Sequence, residues 1–255
     1  MLMALTREIS RAFESCQLTH LPRVPIDLDR ARLQHAAYEW ALVDEGCTVR
    51  RLDSGPDMPD AVFIEDIAVV LDEGAVICRP GAEPRRAETP GVIEALVRHG
   101  RLLQQIQAPG TLDGGDVLVV GREVFVGASA RTNRAAIDQL SAMLAAVGYT
   151  VRAVPVRGCL HLKSAVAAVA RDTLLINREW VPADAFRGQS LVDVDPQEPH
   201  AANALAVGDT VIYPESFPRT RERLERRGLR LRPVDVGELQ KAEGAVTCCS
   251  LIFEM

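Results

Sequence analysis

The sequence predicts a single-domain α/β protein built of five repeated modules, and three observations lead to this fold class. The chain has 255 residues, enough to bury one substantial core. Pairs of short apolar strands around Gly- or Asp-containing turns recur along it. Most of these hairpins are followed by a helical pattern that ends at a glycine, and then by another strand. Modules of this kind, arranged radially, bury their strand edges and bring polar strand ends to a central axis.

The N-terminal fifty residues supply one module. A helix is predicted from Asp29 to Glu45, and Asp27 or Asp29 is a suitable N-cap because a carboxylate accepts the free N–H groups of a first helical turn. A strand is predicted from Thr48 to Leu52.

Four hairpins supply the other modules, over residues 65–77, 115–126, 163–176 and 202–213. Helices are predicted at 90–99, 133–147 and 220–227, before Gly100, Gly148 and Gly228, and strands follow at 102–106, 150–156 and 229–236. A further apolar strand is predicted at 251–253. The alternative is an ordinary α/β sandwich whose hairpins resemble one another by chance.

Composition narrows the possible partners. The net charge is −6, and the densest basic run, residues 219–232, alternates with glutamates as on the solvated face of a helix, so nucleic acid is not expected. No apolar run approaches the roughly 20 residues of a membrane span, and the first residues lack the features of a signal peptide. Six cysteines without framework spacing fit a reducing cytoplasm, with Cys16, Cys47 and Cys78 packed as small apolar residues.

The candidate nucleophile is Cys248, which follows a Gly-containing loop and precedes an apolar strand. A thiolate is a strong nucleophile, but near pH 7 it needs a base or a cation beside it. His161 begins the third hairpin at the equivalent strand end, and histidine transfers protons in both directions near neutral pH. Each residue alone is equally compatible with a structural role.

Acidic residues gather at two other hairpins. Asp113 and Asp116 are separated by two glycines that permit close backbone approach, so one carboxylate can face a small ligand, although a structured turn is the alternative. Carboxylates grip a planar guanidinium through paired hydrogen bonds, and the candidates for this role are Asp60, Glu65 and Asp66. The candidates for binding the carboxylate of an amino acid are Arg85 and Arg131.

The combination of motifs resembles the dimethylarginine dimethylaminohydrolases, members of the guanidino-group-modifying superfamily. The resemblance runs in order from about Thr19 to the C-terminus through the segments 63–66, 79–82, 112–116, 131–133, 160–164 and 247–250. It implies a five-module α/β propeller of the pentein type. It also implies a nucleophilic Cys248, a general acid and base at His161 and a supporting carboxylate at Asp113. The substrate-pocket positions that it implies are Leu18, Asp60, Glu65, Asp66, Arg85, Arg131, Ala242 and Glu243.

The implied reaction is hydrolysis of a methylated arginine to citrulline and an alkylamine through a covalent thiouronium intermediate, without metal or cofactor. Cys249 is expected to be inert, residues 18–26 are the candidate loop over the site, and a homodimer is compatible with the sequence. The nearest alternative is an arginine or agmatine deiminase. Two other classes remain: a non-catalytic binding protein of the same fold, and a zinc protein using Cys159, His161, Cys248 and Cys249, although the usual two-residue spacer between cysteine ligands is missing.

Overall fold

The computed structural model describes residues 1–53 and 58–255, which form five three-stranded sheets. The strands are β1 (Leu2–Arg7), β2 (Cys47–Leu52), β3 (Ala68–Leu71), β4 (Gly74–Ile77), β5 (Leu103–Gln105), β6 (Val117–Val120), β7 (Glu123–Ala128), β8 (Thr150–Pro155), β9 (Val166–Ala170), β10 (Thr173–Ile176), β11 (Ser190–Asp193), β12 (Leu205–Val207), β13 (Thr210–Pro214), β14 (Arg230–Val234) and β15 (Leu251–Glu254). Every sheet has the same design, an antiparallel pair of strands, one of which pairs in parallel with a third strand. The predicted five-module α/β fold is confirmed.

Helices connect the second and third strands of the modules. They are α1 (Leu28–Asp44), α2 (Thr89–Arg98), α3 (Arg134–Ala145) and α5 (Pro218–Glu225), with the short α4 (Leu162–Ala165) and α6 (Gly237–Gln240) elsewhere. Asp27 caps α1 by accepting the backbone N–H groups of Asp29 and Arg30 at 3.1 and 3.0 Å, as expected for one of the two predicted caps. Single-turn 3₁₀ segments lie at Phe13–Ser15, Ile64–Ile67, Glu83–Glu88, Gly114–Asp116 and Ala183–Phe186.

The first module is closed by the two ends of the chain. Strand β1 pairs in parallel with β2 and antiparallel with β15, with Leu2 opposite Glu254 and Leu5 opposite Leu251. The predicted C-terminal strand therefore completes the sheet begun by the N-terminus. The strand β1 itself was not predicted.

The third hairpin, after which no helix was predicted, is followed by a 3₁₀ turn at Ala183–Phe186. One detail differs from the sequence predictions. The basic run at 219–232 is not one helical face, because it spans α5 and then enters β14.

The core is a ring of five apolar clusters, each formed where two neighbouring modules meet. All six cysteines are free thiols, and Cys16, Cys47 and Cys78 are buried in these clusters or beside them, as predicted. The continuous ring supports the prediction that residues 1–255 form one domain, which stays a prediction. Among the described residues, no helix has the length and apolar character needed to cross a membrane.

The inner end of each hairpin begins with a short turn at the centre of the ring. The turns Ile64–Ile67, Gly114–Asp116 and Leu162–Ala165 contact one another there and precede β3, β6 and β9. Because the modules repeat radially, residues far apart in sequence meet at this point.

Candidate active site

Cys248 lies at the centre of the ring, in the turn that leads into β15. Its N–H donates to the carbonyl of Ala245 at 3.2 Å, and its carbonyl accepts the N–H of Glu65 at 3.1 Å. The side chain is half-buried. Burial, together with the negative charges of Glu65 and Asp66, raises the pKa of the Cys248 thiol to about 12. The isolated protein therefore holds this group as a neutral thiol near pH 7.

His161 is buried between two carboxylates at the start of α4. Its Nε2 lies 3.0 Å from Oδ2 of Asp113, and its Nδ1 lies 3.7 Å from Oδ1 of Asp66. Burial alone would lower the pKa of His161, but the charges of Asp66 and Asp116 and the hydrogen bond with Asp113 outweigh it and raise the pKa to about 9. The imidazole is therefore protonated at neutral pH.

Asp66 is held in turn by a buried ion-pair chain. Arg85 contacts Asp66 through Nη1, and its Nε and Nη2 each lie 3.0 Å from a carboxylate oxygen of Glu88. Burial opposes ionisation of Asp66, but His161 and Arg85 overcome it and lower the pKa of the carboxyl to about 2. The Nη2 group of Arg85 also donates to the carbonyls of Asp60 and Phe63 at 3.2 and 2.9 Å. Most of the donors of Arg85 are thus already engaged within the protein.

Asp60 and Arg131 lie on the side of the site that faces residues 17–19. Asp60 is buried and accepts the N–H of Gln17 at 3.0 Å; burial raises the pKa of its carboxyl, against the charge of Arg85. Arg131 donates to the hydroxyl of Thr19 at 3.1 Å, and its Nη1 lies 3.8 Å from Oδ2 of Asp113. Arg85 forms close ion pairs with Asp66 and Glu88, whereas Arg131 is paired more loosely, with Asp113.

A second network lies behind Cys248 and includes residues that the sequence interpretation did not select. Glu65 forms an ion pair with Lys163 and accepts the hydroxyl of Thr247 at 2.9 Å. Asn203 donates to the same hydroxyl at 2.9 Å and accepts the N–H of Thr247 at 3.1 Å. These hydrogen bonds hold Thr247, the residue before Cys248, in place. Lys163 lies in the segment 160–164, and Asn203 lies at the start of the fourth hairpin. A polar residue recurring at each inner strand end was the signal that could have identified both.

The two glycines of the Asp-Gly-Gly-Asp turn are required by close packing, in agreement with the sequence interpretation. A Cβ at Gly114 would lie 2.1 Å from the carbonyl oxygen of Glu65, and one at Gly115 would lie 2.6 Å from Nδ1 of His161. The second acid, Asp116, is fully buried and accepts the hydroxyl of Thr132 at 2.7 Å and the N–H of Leu162 at 2.9 Å. Burial raises its pKa to about 6, against these donors and the charge of His161. Asp116 therefore supports the backbone beside His161.

A small cavity brings most of the predicted site residues together. Its lining is Gln17, Asp60, Phe63, Asp66, Arg85, Arg131, Leu160, His161, Ala242, Glu243, Gly244 and Cys248. Three predicted residues are not part of the lining: Asp113 stands behind His161, Glu65 stands behind Cys248, and Leu18 packs against the neighbouring apolar cluster. A second, more open cavity of about 840 Å³ shares with it the wall formed by Leu160, Glu243, Gly244 and Cys248.

The alternative zinc site is not assembled in the part of the chain that the structure describes. The group of potential metal ligands found there is Asp66, Asp113 and His161, without a cysteine. Cys159 and Cys249 are buried, and their thiols face the backbone carbonyls of His161 and Ala245. Arg85 and Arg131 already place positive charge beside the two aspartates, which weakens the attraction of this cluster for a metal dication.

A family model for N,N dimethylarginine dimethylhydrolases, eukaryotic, matches residues 23–253. The chain belongs to the dimethylarginine dimethylaminohydrolase family. A dimethylarginine dimethylaminohydrolase from Streptomyces coelicolor is 41% identical over 248 residues, which cover 97% of this chain and 95% of that protein. One from Pseudomonas aeruginosa is 37% identical over 228 residues, 89% of this chain and 90% of the relative.

Solved structures of dimethylarginine dimethylaminohydrolases share the fold over nearly the whole chain. The Pseudomonas aeruginosa protein, as a cysteine-to-serine variant complexed with citrulline, superposes with a TM-score of 0.94 at 35% identity and covers 98% of both chains. A histidine-to-glycine variant, present as an adduct with S-methyl-L-thiocitrulline, gives a TM-score of 0.92 at 35% identity, with 98% of this chain and 99% of that chain covered. The N-terminal domain of a cyanobacterial arginine dihydrolase, at 19% identity and a TM-score of 0.85, shares the fold.

Proposed function

We propose that this protein hydrolyses N-omega-methylated arginine to citrulline and an alkylamine, with Cys248 as nucleophile and His161 as general acid and base. The observation that carries the proposal is that one cavity is lined by a half-buried thiol, a carboxylate-anchored imidazole and three further carboxylates. Family membership and relatives that carry this activity in their names support the same reaction.

The acidic cavity wall is suited to a guanidinium cation. Asp66 and Asp60 line the cavity, and Glu65 lies directly behind it. Carboxylates grip a planar guanidinium through paired, charge-assisted hydrogen bonds. A bound cation beside Cys248 also stabilises its thiolate and lowers the thiol pKa from about 12. Substrate binding thereby activates the nucleophile, and the thiol proton leaves to solvent.

The protonation states of Cys248 and His161 then permit both formation and hydrolysis of the covalent adduct. The thiolate attacks the guanidinium carbon while His161, already protonated, donates its proton to the departing amine. Cleavage of that C–N bond leaves a covalent thiouronium adduct on Cys248. Neutral His161 next removes a proton from water, the resulting hydroxide attacks the adduct carbon, and the C–S bond breaks to give citrulline. Asp113 keeps the imidazole in place and favours its protonated form.

The amino-acid end of the substrate is assigned to the side of the cavity near residues 17–19. Arg131 is the proposed clamp for the α-carboxylate, because its guanidinium lines the cavity and its contact with Asp113 is looser than the ion pairs of Arg85. Arg85 lines the same cavity, but its ion pairs with Asp66 and Glu88 favour a role in orienting Asp66. Leu18, Ala242 and Glu243 remain proposed pocket residues.

The test is citrulline formation by the purified protein with asymmetric dimethylarginine, monomethylarginine, arginine and agmatine offered in parallel. The proposal expects preference for the methylated substrates and complete loss of turnover in Cys248→Ala. Turnover of arginine or agmatine alone would assign the protein to the deiminases and keep the mechanism. Absence of turnover with all four compounds would reject the substrate class.

We propose in addition that the chain acts in the cytoplasm as a homodimer. An apolar stripe supports the dimer: Leu33, Trp40 and Val43 lie on the outer side of α1 and are 73%, 67% and 43% exposed. An antiparallel copy of α1 would cover this apolar stripe. Sedimentation of the wild type and of Trp40→Glu tests the proposed dimer. We expect the wild type to sediment as a dimer and Trp40→Glu as a monomer. A wild type that is monomeric at all concentrations would contradict the proposal.

A further inference from the structure

We infer that Glu243 is a positioning residue that holds the loop over the active site, and this inference rests on the proposed function of that site. The loop consists of residues 17–25, which form no helix or strand and are named here the covering loop. Gln17 lines the cavity that contains His161, Asp66 and Cys248. His20 and Leu21 line the second, more open cavity, which shares Cys248 with the first. The covering loop therefore lies across both spaces that meet at the nucleophile.

The contact between Glu243 and the covering loop is a carboxylate in a cradle of backbone donors. One oxygen accepts the N–H of Thr19 at 2.9 Å, and the other accepts the N–H groups of His20 and Leu21 at 2.5 and 2.6 Å. Three consecutive N–H groups directed at one carboxylate form an arrangement specific for an anion. A neutral side chain cannot replace it, since an amide offers one acceptor atom where the carboxylate offers two.

The backbone at Glu243 supports a functional reason for this arrangement. The φ angle of Glu243 is +59°. Among the described residues, the other positive φ angles are at glycines. A left-handed glutamate is strained, and glycine would occupy the same conformation at lower cost. The sequence therefore carries a residue that is unfavourable for local folding at the position where its carboxylate reaches the covering loop.

Glu243 also connects the covering loop to the nucleophile. It precedes Gly244 and Ala245, and Ala245 accepts the N–H of Cys248. Gly244 lies against Phe63, where an added Cβ would approach the ring to 2.0 Å, so this segment has little freedom to move. A loop held by Glu243 is thus fixed relative to Cys248. Opening of the loop for substrate entry requires release of the three hydrogen bonds, and closure restores them.

The first test is amide hydrogen exchange of the protein without substrate, followed by mass spectrometry of peptides. Glu243→Gly removes the carboxylate while suiting the positive φ, so the fold is expected to persist, which a cooperative thermal transition checks. Exchange in the peptide covering residues 17–23 is expected to accelerate by about 10-fold or more, because each lost bond to a charged acceptor is worth about that factor. Glu243→Gln is expected to give a smaller acceleration, and the exposed Glu215→Gln is the matched control without effect.

The second test measures KM and kcat with the best substrate. It separates a role of Glu243 in positioning the covering loop from an effect on the stability of the whole protein. Glu243→Gly is expected to raise KM about 10-fold or more with a smaller change in kcat, and Glu243→Asp is expected to restore part of the loss. Unchanged exchange at residues 17–23 would overturn the inference, and so would acceleration spread evenly over all peptides. Because exchange is measured without substrate, an inactive wild type would reject the proposed function and leave this test intact.

Discussion

The protonation of His161 depends on Asp113, and Asp113→Asn tests this dependence. The two side chains are 3.0 Å apart, and both are almost fully buried. Among the causes that raise the pKa of His161 to about 9, Asp113 contributes a hydrogen bond and a charge, after the charge of Asp66. Removal of a buried opposite charge at this distance is expected to lower the pKa of His161 by about 1–2 pH units.

The same change has a calculable effect on stability. A histidine pKa of 6.5 in the unfolded chain and about 9 in the folded protein corresponds to roughly 3 kcal/mol of stabilisation. Because the folded-state pKa is the higher one, this stabilisation is complete below pH 6.5 and is lost as pH rises through about 9. Asp113→Asn is expected to lose about half of it, so its unfolding free energy should depend less on pH between 6.5 and 9.

The assay is a pH titration of the His161 ring by NMR, with the resonance assigned through its absence in His161→Gln. Urea unfolding at several pH values measures the stability, and kcat of Asp113→Asn is expected to fall roughly 10²-fold, the smaller end of the range for a displaced general acid. The exposed Asp138→Asn on α3 controls for loss of one negative charge at a distance. A His161 pKa that stays near 9 in Asp113→Asn would refute the reasoning.

Three further predictions follow from packing and charge. Gly244→Ala should destabilise the fold by about 1–3 kcal/mol in thermal or urea unfolding, since the new Cβ would lie 2.0 Å from the ring of Phe63; an unchanged Tm would contradict this packing. Asp66→Ala should cost about 3–5 kcal/mol because it leaves Arg85 buried with one partner fewer, and a loss below about 1 kcal/mol would show that Glu88 suffices. The ionised Asp66 carboxylate should stabilise the wild-type fold above pH 3.8, and this stabilisation should be lost as pH falls toward about 2. Acid unfolding should show this pH dependence in the wild type and not in Asp66→Asn.

The repeating hairpins made most of the fold predictable from the sequence. Their strands are short and apolar and their turns carry Gly or Asp, so local patterns indicated them without tertiary information. The closure of the first module was not predictable in this way. Strand β1 pairs with β15, which lies at the other end of the chain, and no local pattern encodes a partner at that distance.

Some site residues could likewise be predicted from the sequence, and others could be found only in the structure. Cys248 and His161 stood out because few residue types can act as nucleophile or as general acid and base, and the structure places both in one cavity. The engagement of Arg85 was not predicted, although Glu88 three residues later was a local sign of an ion pair. The contact of Glu243 with residues 19–21 spans more than two hundred positions, so it required the three-dimensional structure.

The central claim is that Cys248 forms a covalent bond with the guanidinium carbon of a methylated arginine. Intact-mass spectrometry after rapid acid quenching of the enzyme with excess asymmetric dimethylarginine tests it most directly. We expect a mass gain equal to the substrate minus dimethylamine, located on the peptide that contains Cys248, absent in Cys248→Ala and retained in Cys249→Ala. An adduct that persists in Cys248→Ala, or full turnover by that variant, would contradict the account.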